Sequence, residues 1–282
     1  MARGGKVLMV RRRLKNCLFV FLACGFLFIS GCDFDFLGIV AATDLDARLA
    51  ERNNFNFLTP ADRETSFGND YSFIVLTDIH IENGNAHGFE NLKGVIASNS
   101  VKFVVVLGDI TDKGSARDID RFIDIAGGFG VPCYPVIGNH DIRFGNWSSV
   151  WKNKIGSTSY RINGGGTTLF VLDSANSFFG KEQLDWLEKE LSYAHGRVFV
   201  FTHAPLFATI VIDQITDIRE RACIISILRN RCEIMFMGHS HQRTINTAGN
   251  VRYINIEDFR GSKVYCLVSV KSTGVTYTFK NL

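Results

Sequence analysis

The chain has 282 residues, 46% of them apolar and 21% charged, which supplies a real core for one large domain or two small ones and excludes a mostly disordered chain. Its formal charge of +3 is misleading, because six of the 31 basic residues (Arg3, Lys6, Arg11, Arg12, Arg13, Lys15) lie within the first 31 positions with no acid among them, leaving 25 basic against 28 acidic side chains, a net −3. A body of that sign lacks the basic surface that generic nucleic-acid binding uses, so nucleic acid is not expected as a partner except as a substrate.

The basic cluster at 11–15 is followed by an uncharged apolar run over 17–29 and then Ser30-Gly31-Cys32, the basic, apolar and small-residue order of a secretory signal. The run is short for a transmembrane span, and extending it to residue 42 would put Asp33 and Asp35 near its centre, each costing about 2.5–3.5 kcal/mol. Cleavage before Cys32 fits the pattern better, and Ile29-Ser30-Gly31-Cys32 resembles a bacterial lipobox. The expectation is a signal peptide over 1–31 and a membrane anchor through lipidated Cys32, with the body on the extracytoplasmic face. An uncleaved signal anchor, the alternative, leaves the body on the same side. Four cysteines remain in the body, Cys133, Cys223, Cys232 and Cys266, with no CxxC pair. Cys133 and Cys266 sit in apolar strand-like runs and are expected as buried small hydrophobes, while export would permit a Cys223–Cys232 bridge.

Residues 32–69 show weak periodicity, scattered charges and Asn/Phe pairs, and read as a tether merging into the domain edge; the domain itself is expected over 70–282. Short continuous apolar runs at 73–76, 103–107, 198–201 and 234–237 have the pattern of strands covered on both faces. Between them, Phe89, Leu92 and Ile96; Ile119, Phe122, Ile123 and Ala126; Leu184, Leu187 and Leu191; and Ile218, Ala222, Ile225 and Leu228 keep helical spacing. Gly164-Gly165-Gly166 between 160–162 and 169–172 reads as a hairpin turn. The segments 253–256, 264–270 and 275–279 read as strands without intervening helices, which predicts a second, partly antiparallel sheet closing a layered sandwich.

Each apolar run ends in polar residues that can ligate metals: Asp78-Ile79-His80, Gly108-Asp109, Gly138-Asn139-His140-Asp141, His203, and Gly238-His239-Ser240-His241. Taken singly, a strand-end Asp is a helix cap, a Gly-Asn pair a turn and a lone histidine an ordinary polar residue; His87 and His195 receive that reading. Together, the five clusters use five of the seven histidines and lie where an open α/β sheet gathers its ligands, beyond the carboxyl ends of the strands. Carboxylate, amide and imidazole donors without thiolate suit divalent Mn, Fe or Zn, and the set is large enough for two ions.

In that order, Asp78-x-His80, Gly108-Asp109-x-x-Asp112, Gly138-Asn139-His140-Asp141, His203 and Gly238-His239-x-His241 resemble the full signature of the calcineurin-like metallophosphoesterases, over roughly 71–256. The resemblance implies a four-layer α/β/β/α sandwich with two mixed β-sheets. It further implies that Asp78, His80 and His241 hold one metal, that Asn139, His203 and His239 hold a second, and that Asp109 bridges both. His140 would lie beside the substrate as general acid with Asp112 as its orienting partner, and a metal-bridged hydroxide would attack the phosphate ester. Asp141 is expected to brace the loop, and Lys113 and Arg143 to be solvated surface. The phosphoprotein phosphatase branch fits poorly, since its usual Asp-x-His-Gly is here Asp78-Ile79-His80-Ile81; the pattern is closer to the phosphodiesterase-like branch. The alternatives are a phosphomonoesterase or nucleotidase, and a lipoprotein that binds a phosphorylated ligand without turnover. Phe207, Ile210 and Val211, in the stretch after His203, are placed either at the pocket edge or in the core.

Overall fold

The computed structural model describes residues 44–210 and 213–282. The expected signal peptide over 1–31, Cys32 and the first part of the 32–69 segment therefore lie outside the described residues, as does Val211. In chain order the described residues form β1 (Tyr71–Leu76), β2 (Val101–Val106), β3 (Cys133–Pro135), β4 (Tyr160–Asn163), β5 (Thr167–Val171), β6 (Arg197–Phe201), β7 (Ile234–Met237), β8 (Thr244–Ala248), β9 (Val251–Asn255), β10 (Val264–Lys271) and β11 (Gly274–Asn281). One sheet runs β11-β10-β1-β2-β3 and the other β4-β5-β6-β7-β9-β8. β1, β2 and β3 are parallel, as are β5, β6, β7 and β9, while β4, β8, β10 and β11 pair antiparallel at the flanks.

Side chains alternate across a strand, so each apolar run feeds two layers at once. In β1, Phe73 and Val75 face the second sheet while Ile74 and Leu76 face helices, and all four are fully buried. The Phe73 ring stacks on Phe103 of its own sheet (4.6 Å) and meets Phe199 of the other edge-on (5.2 Å), fixing the two sheets face to face. Burial of each such ring stabilises the fold by about 1.5–3 kcal/mol. Outside the first sheet, α2 (Leu92–Ser98) and α3 (Ala116–Gly127) contribute Leu92, Ile96, Ile119 and Phe122. Outside the second, α4 (Lys181–Leu191) and α5 (Ile218–Leu228) contribute Leu184, Leu187, Leu191, Ile224 and Leu228. These are the four layers of an α/β/β/α sandwich with two mixed sheets.

Three features differ from the sequence reading. From Leu45 onward the segment read as tether is domain: helix α1 (Leu45–Ala50) buries Leu45, Arg48 and Leu49, and Leu58 and Phe67 enter the inter-sheet core. The late strands do not make a sheet of their own, because β9 extends the second sheet beside β7 whereas β10 and β11 complete the first beside β1. Strand β8 has no apolar run, since as an edge strand it alternates half-buried and exposed positions in Thr244-Ile245-Asn246-Thr247-Ala248. Cys133, Cys232 and Cys266 are buried and Cys223 exposed, all four unbridged. Among the described residues no helix is long and apolar enough to cross a membrane.

Candidate metal centre

The parallel strands β1, β2, β3, β6 and β7 run out at one edge, and each delivers its polar residues there. The turns that do so are tight. Asp78, His80, Asp109, His239 and His241 all have positive φ, between 47° and 68°, a left-handed backbone that costs a non-glycine residue about 1–3 kcal/mol and persists only where surroundings enforce it. Main-chain hydrogen bonds between neighbouring strand ends enforce it here: Asp78 N–H to Gly108 C=O (3.1 Å), His80 N–H to Asp109 C=O (2.9 Å) and Gly238 N–H to His203 C=O (2.8 Å). The loops pack so closely that a methyl group on Gly138 would lie 2.2 Å from the Asp109 amide nitrogen, and one on Gly238 2.0 Å from Thr77 Oγ1. Those two glycines in the sequence patterns are thus required by close approach.

The side chains converge in three overlapping sets, Asp78/His80/His241, His80/Asp109/His140 and Asp109/His203/His239, with the ligand atoms in each set within 4.8 Å of one another. Asp109 is central. Its Oδ1 accepts the His140 N–H (2.8 Å), and its Oδ2 faces His203 Nε2 at 3.4 Å, His80 Nε2 at 3.8 Å and His140 Nε2 at 3.9 Å. Asp78 Oδ2 accepts the Thr77 hydroxyl (2.5 Å) and the His239 N–H (3.0 Å), while its Oδ1 faces His241 Nε2 at 3.2 Å and His80 Nε2 at 3.6 Å. His203 Nδ1 donates to the Leu107 carbonyl (2.8 Å), which turns Nε2 inward, 2.9 Å from Asn139 Oδ1 and 3.1 Å from His239 Nδ1. All seven residues expected as ligands from sequence are therefore gathered at one site.

Burial disfavours charge on Asp78 and Asp109, yet the surrounding imidazoles outweigh it and hold both carboxyls well below the usual range. Burial likewise works against protonation of His203 and His241, but Asp109 and Asp78 overcome it and raise each to about 9. His239 is pushed down to about 4 by burial and by His203. His80 is buried and neither of its ring nitrogens has a hydrogen-bond partner, although the carboxylates of Asp78, Asp109 and Asp112 lie just beyond hydrogen-bond range. An orphaned buried imidazole among carboxylates needs a compensating group. A divalent cation fits: the donors are imidazole, carboxylate and amide oxygen, the set that suits Mn, Fe or Zn.

His140 Nδ1 bonds the main-chain carbonyl of Asp112 at 2.8 Å, whereas the Asp112 carboxylate stands 3.8 Å away. The expectation that this carboxylate orients His140 is thus corrected. The carboxylate is drawn aside among His80 Nδ1 (3.7 Å), Arg260 Nη1 (3.5 Å) and Lys113 Nζ (3.8 Å), and Arg143 Nη1 donates to the same Asp112 carbonyl at 3.3 Å. Asp141 is buried and accepts from the Ile110, Thr111 and Gly138 amides and the Thr111 hydroxyl, bracing the loop as expected. Burial and the neighbouring Asp109 push its carboxyl up to about 7. In the stretch after His203, Thr209 Oγ1 bonds Gln242 Oε1 (3.2 Å), Ile210 is exposed, and Phe207 packs on Tyr253 against the core of the second sheet. The supports Thr77 and the Leu107 carbonyl were not singled out in sequence. Thr77 immediately precedes the first motif, whereas a main-chain carbonyl carries no residue-type signal.

The family model for calcineurin-like phosphoesterases matches residues 71–243, a span that contains all seven candidate ligands and His140. The chain is 27% identical over 201 residues, 68% of its own length and 75% of the relative's, to a Fibrobacter succinogenes protein described as a probable cyclic nucleotide phosphodiesterase. In fold it is similar to a dimetal phosphatase from Danio rerio (TM-score 0.60, 15% identity, 75% of this chain and 96% of that one). It is also similar to a purple acid phosphatase from yellow lupin, of which it spans about half (TM-score 0.61, 11% identity, 75% and 51%). Motif order, site geometry and family match agree: the chain belongs to the calcineurin-like phosphoesterase family.

Proposed function

We propose that the protein is a dinuclear metal-dependent phosphodiesterase, tethered to a membrane through lipidated Cys32 and acting outside the cytoplasm. In this reading Asp78, His80 and His241 hold one divalent ion, Asn139, His203 and His239 hold the second, and Asp109 bridges them. The observation that carries it is the position of Asp109 Oδ2, which faces His80 on one side and His203 on the other. Divalent cations held by these residues would supply the Lewis acidity that makes a water nucleophilic and would neutralise charge on the phosphoryl oxygens. The chain's own contribution beyond ligation is His140. With Nδ1–H tied to the Asp112 carbonyl, the ring is fixed and Nε2 holds the proton that goes to the leaving-group oxygen. The diester preference is supported by the Fibrobacter relative's description and by the family branch that the motifs resemble; export is supported by the sequence of residues 1–32.

The first test is Mn²⁺-dependent hydrolysis of bis(p-nitrophenyl) phosphate against p-nitrophenyl phosphate by the full chain. Faster diester turnover is expected. Preference for the monoester would replace the reading with a phosphomonoesterase or nucleotidase, and two bound metals without turnover of either would leave a phospho-ligand-binding protein. His140→Ala should retain both metals while slowing hydrolysis of an alkyl ester about 10²- to 10⁴-fold; a wild-type rate on that ester would remove the general-acid role.

A further inference from the structure

We infer that Ser174 is a positioning residue for His203, and that helix α1 supports the metal centre through it; this rests on the ligand assignment proposed above. His203 lies just past the end of β6, where the ladder to β5 stops: the last such bond runs from Leu172 N–H to Phe201 C=O (2.9 Å). Beyond it, the Ser174 hydroxyl takes over. Its Oγ accepts the Thr202 hydroxyl at 2.7 Å and the Ala204 N–H at 2.8 Å, so a single buried oxygen brackets His203 from both sides.

Ser174 is itself held firmly. Gln183 clamps the main chain of the preceding residue, with Oε1 accepting the Asp173 N–H (2.8 Å) and Nε2 donating to the Asp173 carbonyl (2.7 Å). The Asp173 carboxylate receives Arg48 of α1 in a bidentate pair (Nε to Oδ2 2.7 Å, Nη2 to Oδ1 3.1 Å). Arg48, Asp173, Ser174, Gln183 and Thr202 are each at most 1% exposed. A charged and polar network so deeply buried costs desolvation and is rigid only when its members stay bonded. Here it terminates on the two residues flanking a ligand, the arrangement by which outer contacts orient a metal-binding ring.

The test is calorimetric titration of the metal-stripped full chain with Mn²⁺. Wild type is expected to bind two ions. Ser174→Ala should weaken one of them about ten- to a hundredfold and leave the other unchanged. Thr202→Val, which keeps the side-chain shape but removes the partner hydroxyl, should weaken the same ion, and the two changes together should be no worse than the stronger alone, because they break one connection. Ser174→Thr, which retains the hydroxyl, should restore the affinity. Unchanged affinities in both Ser174→Ala and Thr202→Val would overturn the inference, as would equal weakening of both ions in parallel with lost thermal stability. Fewer than two ions in wild type would instead overturn the dinuclear reading itself.

Discussion

The two halves of the metal centre use similar donors but hold them differently. In the half proposed around His203, the ring is 1% exposed, one nitrogen is anchored on the Leu107 carbonyl, and the other already touches Asn139 and His239. In the half proposed around His80, neither ring nitrogen is anchored, and the His241 side chain is 42% exposed. The first half is assembled by hydrogen bonds to every imidazole; in the second, Asp78 and His241 bond each other at 3.2 Å but His80 is left without a partner, and the half opens to solvent. Donor identity alone does not set how a cation is held, because outer contacts fix how much rearrangement binding requires.

The strongest way to break this comparison is at the residue common to both halves. Asp109→Asn should weaken both ions and lower turnover about a thousandfold or more, since the several kcal/mol that a metal pair contributes at the transition state go with it. Metal titration of that variant with loss confined to one half would remove Asp109 from the bridging place.

Protons probe what the halves share. His203 and His241 are each raised to about 9, so in the metal-free chain the stabilisation from their ion pairs is complete below the ordinary histidine value of about 6.5 and is lost as pH rises through about 9. Ligation needs neutral rings, and His80 is raised above its ordinary value as well, so metal binding near pH 7 should release about two protons or more, and apparent affinity should climb toward pH 9. Titration calorimetry in buffers of different ionisation enthalpy measures the count, and release of no protons would contradict it.

The smallest effect is expected at Asp112, whose carboxylate lies outside both proposed ligand sets. Asp112→Asn leaves the carbonyl that holds His140; the pairs it disturbs, with Arg260 and Lys113 and at 3.7 Å with buried His80, are all 3.5 Å or longer and are expected to be worth about 0–1 kcal/mol, or at most about fivefold in rate. A hundredfold loss of turnover in steady-state kinetics would show that the carboxylate, not the carbonyl, governs His140.

That last case marks where sequence stops being informative. The seven candidate ligands were legible because strand ends in a parallel sheet converge and the residue types there are few. Which atom of Asp112 meets His140 was not, since a main-chain carbonyl belongs to every residue. Residues 45–69 read only as a tether merging into the domain edge because the Leu45/Leu49 helical spacing spans a single turn, and Leu58 and Phe67 find their partners only in the folded layers. Ser174 follows the same strand-end pattern, in Leu172-Asp173-Ser174, but its hydroxyl is not among the carboxylate, amide and imidazole donors that mark the site, and the Asp173 carboxylate is taken up by Arg48.

β1, which leads to Asp78 and His80, lies inside its sheet between β2 and β10, and its pairing with β10 brings Ser72 to Ser269, 197 positions along the chain. A chain delivered N-terminus first therefore presents its leading ligands long before their strand has both neighbours. Closing so long a loop is entropically costly and long-range pairing is slow, and until residues 264–281 arrive one edge of β1 stays open to mispairing. Assembly of the centre is thus timed by β10, not by His241, so removing β10 and β11, which supply no ligand, is expected to disable the site.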